Sequence, residues 1–140
     1  MTAKEFLRQI RTVDRRIEET AERLQRIRAR LESGRMSNLT GMPRGGGVDW
    51  TEAADRVIEL ERRLQAQISE MCRQKQAAIE AIDRVEEARL RELLELYYLD
   101  GYTWEQVAER MDISDRWALS LHGRALKQVT IPEEFLRSSL

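Results

Sequence analysis

The chain has 140 residues, 35% of them charged, two prolines, one cysteine, one histidine and a net charge of −1. That length admits one domain or two small ones and falls short of a typical enzyme cleft, while the high charge and scarce proline predict long solvated helices. Cys72 has no partner for a disulfide and His122 is the only histidine, which excludes an internal disulfide and argues against a structural metal site. No stretch is apolar over a membrane-spanning length, and the opening MTAKEFLRQIRTVDRR is charged throughout, so the expectation is a cytoplasmic protein without a signal peptide.

From Ala3 to Leu31 the apolar residues follow a heptad. Ala3, Ile10, Ile17, Leu24 and Leu31 fill one position, and Phe6, Val13, Thr20 and Ile27 the other. This predicts a coiled-coil helix of about 45 Å over residues 3–33. A second helix is predicted over 49–85, with Trp50, Val57, Leu64, Met71, Ala78 and Val85 on one row and Ala54, Ile68 and Ile82 on the other. Glu61 and Lys75 interrupt that second row, and polar seam residues of this kind fix register and partner choice. Residues 34–48 hold Gly41, Pro43, Gly45, Gly46 and Gly47 and read as the connecting loop. Residues 1–48 carry 11 Lys/Arg against 6 Asp/Glu, and residues 49–100 carry 8 against 13, so complementary charge favours pairing of the two helices as an antiparallel hairpin over 1–87. Ile58, Leu60 and Ile79 lie off the seam and are candidates for a contact between copies. A break is expected near 83–88.

Downstream, Arg89 to Leu99 presents Leu90, Leu93, Leu94, Tyr97 and Tyr98 and stops at Asp100-Gly101, where glycine serves as a C-cap. Thr103 and Gln106 then form a capping box for a helix starting near Trp104, whose apolar stripe is Val107, Ala108 and Met111. Asp112-Ile113-Ser114 interrupts it, with Ser114 as the next N-cap. Along the following helix Ala118, Leu121, Ala125 and Leu126 recur at steps of three and four and face inward. Two helices with so short a turn and a small residue, Ala108, where they touch read as a helix-turn-helix over 88–130. Pro132 ends the second helix, and residues 131–140 are a tail that either docks through Ile131, Phe135 and Leu136 or is disordered.

Residues 89–129, with the leading helix LLELYYL followed by W-x-x-V-A-x-x-M and I-S-x-R-x-x-x-x-L-x-x-R-A-L, resemble the fourth region of sigma-70-type sigma factors. With the GMPRGGG loop and the N-terminal hairpin, the chain resembles the small phage and prophage sigma-70 region 4-like (ArpU-type) transcriptional regulators. The resemblance implies an all-α protein, an N-terminal antiparallel coiled-coil hairpin followed by a region 4-like helix-turn-helix, that binds double-stranded DNA and regulates transcription. The implied DNA-contacting set is Thr103, Ser114, Asp115, Arg116, Trp117, Ser120, Arg124 and Lys127. Arg116 would take a guanine or a phosphate and Arg124 the backbone, with the second helix in the major groove. For Trp117, close to a helix start, packing at the rim of the core is the expected role.

Residues 101–140 carry 5 Lys/Arg against 6 Asp/Glu. So neutral a reading head predicts weak DNA binding by that domain alone, to be supplemented by a homodimer or higher oligomer formed through the hairpin or by RNA polymerase. Two other readings stand beside this one: a sigma-like polymerase-docking protein with little DNA contact, and a small terminase-like packaging protein, in which the DNA-binding part usually precedes the coiled coil. No catalytic constellation and no cofactor motif is present, since the glycine loop lacks the Lys-Ser/Thr of a P-loop.

Overall fold

A computed structural model describes residues 1–39 and 50–137, and their regular structure is all helical. The helices are α1 (Ala3–Arg11), α2 (Val13–Leu39), α3 (Trp50–Asp83), α4 (Ala88–Leu94) running into a π turn at Glu95–Leu99, α5 (Trp104–Met111), α6 (Asp115–Gln128) and α7 (Glu133–Arg137). The chain divides into two compact units, one of residues 15–72 and one that joins residues 1–14 to the chain from Arg73 onward.

In the first unit Leu24 and Leu31 of α2 and Leu64 and Met71 of α3 are buried, as the heptads predict. The interrupting Glu61 takes Arg28 of α2 at 2.7 Å, and the same guanidinium reaches Gln65. A polar seam residue thus meets its complement across the pair. Ile58 and Leu60 are exposed.

The second unit departs from the expected division at the N-terminus. The helix predicted over 3–33 is two helices, parted at Thr12 (φ −106°, ψ 4°), whose N–H returns to the Ile10 carbonyl. The heptad runs unbroken through that point, which conceals the break. Thr2 and Glu5 close a capping box on α1, and Phe6, Leu7, Ile10 and Val13 are buried. Leu7, which lies off the heptad, is as buried as any residue in the chain. The α1 helix lies against the π turn and α6, so it belongs to the helix-turn-helix unit and not to a hairpin over 1–87. Nor does a loop begin at residue 34: the backbone of α2 is helical to Leu39, and residues 40–48 of the expected loop lie outside the described residues.

Between α3 and α4 the chain breaks where expected, without proline or glycine. Glu87 is extended (φ −72°, ψ 114°), and Arg91 donates to the Val85 carbonyl at 2.9 Å, taking an acceptor that the end of α3 leaves free. The described part of the tail includes α7. Phe135 is buried with its ring 5.3 Å from that of Phe6, and the Arg73 guanidinium stands 4.8 Å over it.

Full burial of an aromatic or branched side chain contributes about 1.5–3 kcal/mol, so Phe6, Leu7 and Ile10 of α1, with Val13 at the start of α2, are a large share of what holds this unit. Phe6→Ala is expected to destabilise the helix-turn-helix unit by about 3–5 kcal/mol in urea unfolding followed by near-ultraviolet circular dichroism. A helix that served only a separate hairpin would leave that transition where it is.

Candidate nucleic-acid interface

Two capped helices frame the candidate site. The Thr103 hydroxyl accepts the Gln106 N–H at 3.2 Å while the Gln106 amide oxygen accepts the Thr103 N–H at 3.0 Å, and the Ser114 hydroxyl accepts the Trp117 N–H at 3.1 Å. Both hydroxyls are exposed but engaged as caps. Between them Asp112 adopts the left-handed conformation (φ 56°, ψ 49°), and the Ile113 N–H closes on the Ala108 carbonyl at 2.9 Å. Aspartate tolerates this conformation, where glycine is the usual choice. Ala108 on α5 and Ala118 and Ala125 on α6 are buried, and their small size lets the two helices approach.

On α6 the buried residues are Ala118, Leu121, His122 and Ala125. At ~100° per residue the opposite face centres on Arg116, Ser120, Gly123 and Lys127. A Cβ placed on Gly123 would meet nothing within 4 Å, so the centre of this face is open. Leu119 flanks it on one edge and is 52% exposed; Trp117 and Arg124 flank it on the other. Trp117 is 46% exposed, contrary to the expected place at the rim of the core. The tryptophan that packs against this core is Trp104, beside Tyr97 and His122. Arg124 is not free: its guanidinium lies 3.7 Å from Glu87, which also accepts from Gln128 at 3.0 Å. Glu87 thus ties α6 to the start of α4 and makes no side-chain cap of its own. Asp115 occupies the first turn, at the positive end of the helix dipole.

Behind α6 an aromatic stack is closed by α1. Tyr97 stacks on Trp104 with ring centroids 3.9 Å apart and carries the Arg11 guanidinium 4.1 Å from its centroid. The Tyr98 hydroxyl and His122 Nε2 are 2.6 Å apart. Burial pushes His122 down to about 4, with Lys4 adding to the effect, and pushes the Tyr98 phenol up to about 12. The imidazole is therefore neutral near pH 7 and serves as a hydrogen-bonding core residue. A lone histidine in the sequence gives no sign of this. The signal lay in the spacing, because His122 follows Ala118 by four residues and precedes Ala125 by three, on the buried stripe.

Residues 87–129 match the family model described as Sigma-70, region 4. This segment is a sigma-70 region 4-like helix-turn-helix domain. The match takes in α4, the π turn, α5 and α6, and leaves α1 outside it. Comparison with curated proteins and with solved structures found no match. Domains of this kind are DNA-binding and regulatory, in keeping with the helical pair and its outward α6 face. Among the described residues no cluster of His, Cys, Asp or Glu suits a metal ion, and no helix is long and apolar enough to cross a membrane.

The Tyr98–His122 pair sets a pH dependence. An unfolded chain protonates histidine near pH 6.5, whereas the folded chain resists protonation down to about 4. Between those values the unfolded state binds more protons, so this residue lowers stability progressively as pH falls from 6.5. The drop in Tm from pH 7 to pH 5 is expected to be smaller in His122→Gln than in the wild type. Equal drops would show that His122 does not titrate differently in the two states.

Proposed function

We propose that the protein is a sequence-specific, double-stranded DNA-binding regulator of transcription that lays α6 in the major groove. The observation that carries this reading is the outward face of α6 within a domain of the sigma-70 region 4 kind. Arg116, Ser120 and Lys127 stand there at helical spacing around an open glycine, and neither Arg116 nor Lys127 has a hydrogen-bonding or ionic partner among the described residues. An arginine near the start of such a helix offers a bidentate contact to guanine, while Lys127, three turns on, suits a phosphate. Arg124, shared with Glu87, is the weaker candidate of the three cations. Thr103 and Ser114 can reach DNA only through caps they already make, and Trp117 offers an exposed ring to a sugar or base.

The resemblance of the whole arrangement to ArpU-type regulators makes a phage or prophage gene the proposed setting. A homodimer through α2 and α3 is part of the same reading, supported by the exposed Ile58 (40%) and Leu60 (41%) on α3. A two-fold dimer of this kind reads half-sites about 34 Å apart. One observation favours a second reading, docking on RNA polymerase with little DNA contact: the matched segment holds six Lys/Arg against eight Asp/Glu.

The test is fluorescence anisotropy on a duplex selected from a random pool, at ~0.15 M salt with competitor DNA. Arg116→Ala is expected to cost about 10–100-fold in affinity for the selected site and to relax preference at one base pair. Lys127→Ala is expected to weaken all duplexes alike. A well-folded wild-type protein that selects no duplex but is retained on RNA polymerase would replace this reading with the second.

A further inference from the structure

The matched domain is poor in cations, and several of those in its unit are already engaged. Arg11 holds backbone carbonyls, Arg73 lies on Phe135, Arg91 takes the Val85 carbonyl, Arg110 lies 4.1 Å from the Tyr102 ring centroid and Arg124 shares Glu87. Lys4 and Arg8 of α1 are different. Both are exposed, and neither has a hydrogen bond or ion pair among the described residues. They line, with Arg11, Trp104, His122 and the exposed Leu119, a cleft of about 360 Å³ between α1 and α6. Leu119 is the edge residue of α6 that borders Arg116, so the two cations stand beside the outward face of that helix.

We infer that Lys4 and Arg8 form a phosphate-binding flank to α6, so that the DNA-contacting surface includes a helix outside the region 4-like segment. The inference rests on the reading of α6 as the DNA-reading helix. Its charge argument is local. On α1, Lys4, Arg8 and Arg11 fall within an arc of about 60° along the edge that faces α6. The nearby carboxylates are turned to other uses: Glu5 accepts the Thr2 N–H at 3.0 Å and Asp14 holds Lys75 at 2.6 Å. Asp115 lies on the same edge of α6, one turn before Leu119, where it opposes a phosphate; two uncommitted cations alongside reverse the sign of that edge. A flexible lysine and an arginine one turn apart meet a phosphate strand as point charges and need no base-specific geometry.

The experiment measures binding of the full chain to the selected duplex and to a random duplex across a salt series. Each phosphate neutralised adds about 0.9 to the slope of log K against log salt. The Lys4→Gln/Arg8→Gln variant is expected to lower that slope by about 1.8 on both duplexes. Its specific-to-random ratio and its thermal unfolding should not change, and Lys4→Arg/Arg8→Lys should keep the slope. An unchanged slope in the glutamine variant overturns the inference while leaving α6 as the reader. A changed ratio overturns it by making these residues base readers, and an equal fall from Arg26→Gln/Arg30→Gln on α2 overturns it as a generic charge effect. Absence of DNA binding by the wild type overturns this inference and the reading of α6 together.

Discussion

The guanidinium of Arg11 is the constraint on which the helix-turn-helix unit depends. The π turn at Glu95–Leu99 closes with the Asp100 N–H on the Glu95 carbonyl at 2.9 Å and the Tyr102 N–H on the Leu96 carbonyl at 3.1 Å, and Gly101 turns the chain at φ 78°. An ending of this kind leaves carbonyls without helical partners, and they carry the negative end of the helix dipole. Arg11 donates to the Tyr97 carbonyl at 3.2 Å and to that of Tyr102 at 3.0 Å, while its planar group lies on the Tyr97 ring. One fixed cation thereby supplies donors, countercharge and a stacking surface at the point where α4 must hand over to α5. A lysine would offer the charge without the planar fork.

That contact also explains why α1 folds with the C-terminal unit. The apolar face of Phe6, Leu7, Ile10 and Val13 needs a core, and Arg11 is positioned by it to reach over the π turn. Phe135, buried beside Phe6, joins the far end of the chain to the same core. The region 4-like segment is therefore completed from both ends of the chain, beyond the residues that carry its sequence signature.

Local signals in the sequence were faithful where chemistry was local. The Thr103–Gln106 box, the Ser114 cap, the left-handed Asp112 and the Gly101 stop are all decided by residues within one turn, and all are in place. The seam ions were legible too, because Glu61 and Lys75 could lie on an apolar row only with partners; Arg28 and Asp14 supply them. What stayed hidden was long-range. The heptad that places Phe6, Ile10 and Val13 on one stripe is the same whether that stripe meets α3 or the helix-turn-helix, so periodicity alone assigned α1 to the wrong partner. Leu7 was the clue, an apolar residue off the seam with no role in a two-helix pair. At the α6 face, the spacing found Arg116 and Lys127, but Arg124 was committed to Glu87, 37 residues away, and no local pattern shows that.

If α6 reads DNA as proposed, the low cation content of the matched segment becomes a property of that surface and not merely a weakness. Non-specific affinity for DNA grows with the number of phosphates neutralised, whereas preference for one site comes from base contacts. On that reading, a surface that keeps few uncommitted cations beside α6, and ties Arg11, Arg91 and Arg110 to carbonyls or a ring, would hold random DNA weakly. The energy of each base contact is then expressed against a low background. Because a genome presents an enormous excess of random sites, occupancy of a target depends on that ratio more than on total affinity. A second copy paired through α2 and α3 would multiply base and phosphate contacts together at a two-fold site. It would add little on random sequence, where neither half finds its bases.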